Sequence, residues 1–159
     1  MTNSNPLFSQ LSRETNKNFQ ILLILLIIFS FLGLLDSAYL TFKYYEGGPL
    51  VCAIFEGCDK VAQSPYSTMF GVPVALFGVF YYLAVFYIAI FVFEFRRFKI
   101  LKILFPLTIA GFLASLYFLY LQIFVIEAIC TYCIFSLLTS TALFITAIFL
   151  FKKAELMLN

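Results

Sequence analysis

The stretch ICTYCIFSLLTSTALFITAIFLF, residues 129–151, begins with two cysteines and then runs without a charge to Phe151. A helix needs about 20 apolar residues to cross a bilayer, and this run supplies them. Cys130 and Cys133 stand at i and i+3, on one face of such a helix. At that spacing one thiolate attacks and the other resolves, so the pair can cycle between dithiol and disulfide. The plainer alternative is two buried, inert cysteines, because free Cys packs well in apolar surroundings.

Composition extends the same pattern to the whole chain. Of 159 residues, 64% are hydrophobic, 20% aromatic and 11% charged. So few charges could not cover a soluble interior of this size. The expected fold is an all-α integral membrane protein, a four-transmembrane-helix bundle in contact with the lipid bilayer. A net charge of +2, with no basic stretch interleaved with stacking aromatics, excludes nucleic acid as a partner. Histidine is absent, which removes the commonest metal ligand and the usual neutral-pH base.

Three further apolar runs precede the first one quoted. Residues 1–18 read as a loose polar tail, and 19–42 as the first span. A signal peptide is the competing reading there, disfavoured because the run is long and Asp36 sits where a cleavage site wants a small neutral residue. Residues 43–70 form the one long connection, rich in Gly and Pro, between helices 1 and 2. Spans follow at 71–95, 103–126 and 129–151, with 154–159 as a second tail. Pro73 falls in the first turn of the second span, where a missing N–H is harmless. Small residues spaced four apart, such as Gly33 and Ser37, Gly71 and Ala75, or Gly111 and Ser115, would let helices approach closely.

Basic residues orient the bundle. Eight of the ten Lys and Arg fall in the tails and the connection between spans two and three: Arg13, Lys17, Arg96, Arg97, Lys99, Lys102, Lys152 and Lys153. By the positive-inside rule both termini are cytoplasmic. The 43–70 loop and the start of the last span then share the outer face, where disulfides persist. That loop carries the other two cysteines, Cys52 and Cys58. All four cysteines therefore lie on one side and near one level, which suggests an electron relay rather than a structural clip. A four-cysteine zinc site is disfavoured, since one pair would have to leave its helix to complete a tetrahedron.

The segments Cys58-Asp59-Lys60-Val61-Ala62-Gln63-Ser64-Pro65-Tyr66-Ser67, Gly71-Val72-Pro73 and Cys130-Thr131-Tyr132-Cys133 resemble the vitamin K epoxide reductase family in its bacterial-type form. The resemblance implies a four-helix bundle around a quinone pocket open to the outer side. By position, Cys133 resembles the cysteine that contacts the quinone and Cys130 its exchange partner. Cys52 and Cys58 resemble the shuttle pair, and Ser64 a loop residue that donates to a quinone carbonyl. The implied catalytic residues are thus Cys52, Cys58, Cys130 and Cys133, with Cys133 and Ser64 at the quinone.

Two departures argue against epoxide reduction. Leu137 stands where the vertebrate enzymes carry a tyrosine, and an apolar residue near Val74 replaces their early asparagine. Eight residues follow Phe151, too few for the thioredoxin-like domain that many bacterial members carry fused there, so that partner is expected as a separate chain. The implied activity is reoxidation of a secreted thioredoxin-like protein with ubiquinone, menaquinone or a related quinone as acceptor, in a bacterial inner membrane. Quinone or epoxide reduction on a thiol reductant, and a non-catalytic subunit stapled by disulfides, are the alternatives. Asp36 is expected to pair at the interface with Lys43, with a proton relay as the alternative. Glu127 is expected to cap or precede the last helix, and Gln122 to face the pocket or a neighbouring helix.

Overall fold

The first span is part of a longer helix. In the computed structural model, which describes residues 6–48, 50, 57–95 and 100–158, α1 runs from Pro6 to Glu46. The polar segment expected as a loose tail continues this helix, because Gln10, Leu11, Arg13, Glu14 and Lys17 are good helix formers. Gly47 ends it with φ +68, and its N–H donates to the Lys43 carbonyl at 3.1 Å, the usual left-handed stop. Cys52, Arg96, Arg97 and Lys99 lie outside the described residues.

The outer connection carries structure of its own. A short helix α2 (Cys58–Ala62) leads into a 3-10 turn at Pro65–Ser67. A small hairpin follows, with β1 (Thr68–Met69) antiparallel to β2 (Val72–Pro73). Phe70 and Gly71 form its two-residue tip, both with positive φ (55° and 79°). That is the mirror-image turn that matches strand twist, and Gly71 suits it. Gly71 and Pro73 are therefore not in the second span, as expected from sequence, but in the hairpin, and α3 begins at Val74 and ends at Phe95.

The remaining helices are α4 (Leu101–Phe124) and α5 (Thr131–Leu158). Lys152 and Lys153 do not end α5; charge ends an apolar span, whereas Lys, Ala, Glu and Leu all favour continued helix. Four segments are long and apolar enough to cross a membrane: 17–46, 74–95, 101–125 and 131–155. The protein is an all-α integral membrane bundle. Phe80, Tyr87, Ile103 and Leu138 are exposed on its outside, as lipid-facing side chains are.

The four long helices do not pack evenly. α1 lies against both α3 and α5, and α5 also packs on α4, while α3 and α4 barely meet. At the end carrying the termini the middle is filled by Leu23 and Leu26 of α1, Val85 and Val92 of α3, Leu104 of α4 and Leu150 of α5. Helical spacing puts these apolar residues on single faces. Toward the other end the contacts are polar or small. Gly33 accepts the Tyr82 ring so closely that a Cβ there would overlap it, and Gly78 faces the Ser37 hydroxyl. Ser140 of α5 donates to Ser115 of α4 at 2.8 Å.

Tyr82 is the principal tie between α3 and α5. Its hydroxyl lies 3.0 Å from the Ser136 carbonyl, 2.9 Å from the Ser136 hydroxyl and 3.0 Å from that of Thr139. Hydrogen bonds between membrane helices contribute roughly 0.6–2 kcal/mol. Tyr82→Phe is expected to lower stability by about 1 kcal/mol, read as a reduced unfolding midpoint in detergent.

Candidate functional site

Where α3 and α4 part, a cavity of about 890 Å³ opens at the end of the bundle opposite the termini. Its wall includes Cys58, Cys130, Cys133, Ser64, Tyr81 and Gly111. Described residues of the 43–70 segment, among them Gly48, Leu50, Ser64 and Thr68, form its cover. Leu50 N–H donates to the Asp59 carboxylate at 2.8 Å, which ties that residue to α2.

Gly57 brings this cover onto the start of α5. A Cβ on Gly57 would come within 2.8 Å of the Ile129 carbonyl oxygen and 2.9 Å of its nitrogen. Only a residue without a side chain allows that approach. Cys58, the next residue, is consequently buried in one cluster with Cys130 and Leu50, with Cys133, Tyr39 and Tyr132 packed around them. Cys58 is in a disulfide, and its bonding partner lies outside the described residues. Cys130 and Cys133 are free thiols. A sulfur held in a disulfide offers no thiolate to a zinc ion.

Cys130 was expected in the first turn of the last helix. It is instead the cap, one residue before Thr131. Its carbonyl already accepts the Ile134 N–H at 3.1 Å. Its own N–H is taken by the Gln122 side-chain oxygen at 2.9 Å. Its sulfur accepts hydrogen bonds from the Cys133 thiol and from the backbone N–H groups of Cys133 and Tyr132. A cap side chain normally satisfies these helix-start donors with oxygen. Here the acceptor is the reactive sulfur.

The Cys130 thiol is accordingly lowered from an ordinary 9.0 to about 7. The Cys133 thiol bond contributes most, burial opposes it, and the two backbone donors add to it. The neighbouring thiol is thus the leading cause, with the helix-start N–H groups second to it. Cys133 lies in the first turn of α5 and lines the cavity.

The remaining expected residues are placed as follows. Ser64 lines the cavity, but its hydroxyl donates to the Val61 carbonyl at 2.7 Å. Gln122 faces neither lipid nor open cavity alone: it is buried and holds Cys130. Glu127 precedes the helix, exposed, in the left-handed region at φ 51°. Asp36 does not pair with Lys43, which bonds Glu46 at 2.6 Å, three residues on and on the same exposed side. Asp36 is buried instead, with Oδ2 lacking any hydrogen-bond partner.

Tyr81 was not singled out from sequence. It lines the cavity against Gly111, where a Cβ would overlap its ring, and its buried hydroxyl has no partner. Two adjacent tyrosines inside an apolar span were the available signal.

A family model described as the vitamin K epoxide reductase family matches residues 24–148. The chain belongs to the vitamin K epoxide reductase family. No curated protein matches it. The match spans all three described cysteines and most of the four helices, and membership in this family implies an oxidoreductase.

The low value for Cys130 gives a direct expectation. Because its thiolate forms as pH rises through about 7, alkylation of Cys130 by iodoacetamide is expected to rise through that range. Cys133→Ala removes the leading donor, so the rise moves upward toward about pH 8.5, the ordinary thiol range. Mass-spectrometric readout of Cys130 alkylation across pH checks the shift.

Proposed function

We propose that the protein is a membrane thiol–quinone oxidoreductase that reoxidises a separate, secreted thioredoxin-like protein and so supports disulfide formation. One observation carries this: a disulfide at Cys58, two free thiols at Cys130 and Cys133, and a largely apolar cavity with an unengaged phenol meet at one end of the bundle. A quinone headgroup is flat, apolar and edged with carbonyl acceptors. It fits a cavity reached between α3 and α4 from lipid, with Tyr81 as a donor that has no other use. Ubiquinone, menaquinone or a related quinone supplies a two-electron acceptor more oxidising than a protein disulfide.

The residues act in sequence. A partner thiolate attacks the Cys52–Cys58 disulfide at Cys52. Once the inner pair is oxidised, Cys58, released, attacks the Cys130–Cys133 disulfide at Cys130, against which the Gly57 contact holds it; the partner's second thiolate frees Cys52, which re-forms its bond to Cys58 and releases Cys130 as a thiolate. Cys133 leaves as the second sulfur of the inner pair and, lining the cavity, passes the electrons on. Each step is thiolate attack on a disulfide sulfur, and its direction follows reduction potential. Cys130, whose thiol is lowered to about 7 and so is partly thiolate near neutral pH, is suited to re-forming the inner disulfide. For Ser64 to bind the quinone it must exchange its bond to Val61 for one to the ligand.

The charge distribution supports a bacterial inner membrane with cytoplasmic termini and the cavity on the periplasmic side. Lys17, Lys102, Lys152 and Lys153 belong to the helix ends remote from the cysteines.

The deciding experiment follows partner oxidation in isolated membranes supplied with quinone. Cys133→Ala is expected to abolish it, and an unaltered rate would sink the proposal. Tyr81→Phe is expected to raise the KM for quinone about tenfold with kcat little changed, the effect of one lost hydrogen bond of about 1.4 kcal/mol. An unchanged KM removes Tyr81 from the quinone site.

A further inference from the structure

Asp36 is a carboxyl group inside a membrane-spanning helix, 8% exposed, with Oδ2 unpartnered. Ionisable groups at such depth are expensive and usually functional. Among the described residues the one ion pair is Lys43–Glu46, so no cation compensates Asp36. It does not line the cavity, although its neighbour Ser37 does. Tyr39 and Leu40, one turn further along α1, pack in the cluster of Cys58 and Cys130. The Asp36 carboxyl is within electrostatic reach of Cys130, Cys133, Tyr132 and Tyr82. These are the titratable groups facing it, from the start of α5 and from α3.

The chemistry of the inner pair leaves a proton to be placed. Cys130 stands at the helix cap with three donors on its sulfur and holds a thiolate comfortably. Cys133 is deeper and serves as a donor to Cys130. When the inner disulfide breaks by attack at Cys130, the electron pair stays on the Cys133 sulfur. A second anion beside Cys130 in an apolar site is unfavourable unless it gains a proton. The buried carboxyl within electrostatic reach of both sulfurs is Asp36.

We propose that the Asp36 carboxyl is the proton store of the Cys130–Cys133 pair, protonating Cys133 as it leaves the disulfide and recovering that proton before Cys133 gives up its electrons. In the reductive half, the S–S bond breaks, a Cys130 mixed disulfide forms, and the carboxyl proton moves to Cys133, leaving a carboxylate. A second thiolate then resolves the mixed disulfide and frees the Cys130 thiolate. In the oxidative half, the carboxylate takes the proton back from Cys133, the Cys130–Cys133 bond re-forms, and the two electrons of the pair go to the quinone. The two protons on the resulting quinol come from the cavity mouth, matching the two that the partner dithiol released there. The quinone half of this cycle rests on the function proposed above; the exchange half does not.

The test therefore uses dithiothreitol as reductant of the oxidised full-length protein, with thiols at positions 130 and 133 counted by alkylation and mass spectrometry. Rates are expressed per dithiothreitol thiolate. In the unsubstituted protein this rate constant is expected to fall as pH rises, because the protonated carboxyl that assists Cys133 is lost. Asp36→Asn, nearly the same shape, is expected to react about a hundredfold more slowly at about pH 6 and to show no dependence on pH, the range of effect seen for a positioned general acid. Asp36→Glu, which keeps the acid, is expected to keep the fall.

A flat profile in the unsubstituted protein, or a fall retained by Asp36→Asn at any rate, overturns the proposal. If Asp36→Asn does not accumulate, Asp36→Glu decides alone: loss of the fall there overturns it. Oxidation of the same dithiol protein by quinone is measured in parallel. No oxidation, with the expected dithiothreitol profiles, sinks the quinone function and leaves the proton store standing. Normal oxidation with the overturning profiles does the reverse.

Discussion

The Gln122 side chain accepts the Cys130 N–H at 2.9 Å, and the outer end of the bundle is arranged around that bond. A helix that starts at the edge of a bilayer exposes four N–H groups with no intrahelical partner. Water is scarce there, so each needs an acceptor from the protein. Gln122, from the last turn of α4, takes one, and its backbone carbonyl takes the Ala128 N–H at 3.1 Å. The Cys130 sulfur takes those of Tyr132 and Cys133. The same bonds that let α5 begin at this level thus hold the sulfur electron-rich. When Cys130 enters a disulfide with Cys133 it loses both the thiol donor and much of its strength as an acceptor. Capping and redox state are therefore linked through one atom.

The hollow at this end follows from how the helices are paired. α1 and α5 form the packed seam, and α3 and α4 lean on opposite sides of it. Nearer the termini, Val85, Val92 and Leu104 close the gap with branched side chains. Nearer the cysteines the facing residues are Gly78, Gly111, Ala114 and Ser115, which leave space that Tyr81 fills only in part. Glycine here has two opposite uses. Gly33 and Gly57 are contact points where backbone and ring or loop press together, whereas Gly111 widens one wall and seats the Tyr81 ring against it.

Much of this was legible in one dimension. Four apolar runs of bilayer length, separated by charge or Gly/Pro, pointed to spanning helices, and Cys58, Cys130 and Cys133 marked the end at which the cavity opens. Element boundaries were less legible because composition reports membrane, not helix: α5 passes through Lys152 and Lys153, and α1 reaches back to Pro6. The hairpin at Thr68–Pro73 escaped notice because Phe70 is an unusual occupant of a left-handed turn position. Asp36 was assigned to Lys43 on spacing along one helix, a spacing of seven that the competing Glu46, at three, defeats. Tyr81 and the task of Gln122 depend on residues far away in sequence, and no local pattern encodes such meetings.

Two buried polar atoms among the described residues lack partners, Asp36 Oδ2 and the Tyr81 hydroxyl, and both sit at the cysteine end. An unsatisfied polar group in an apolar interior costs about 1–3 kcal/mol, more if charged. Elsewhere this bundle avoids that cost with care: Ser30, Thr41, Thr108, Thr141 and Thr146 all return their hydroxyls to their own helix. Local rules are broken where function needs it. Tyr81 lines the cavity; Asp36 does not, and lies within electrostatic reach of Cys130 and Cys133. The two unpartnered groups therefore have different surroundings, one a ligand-sized space and the other the inner cysteine pair, and the two proposals made for them rest on that difference.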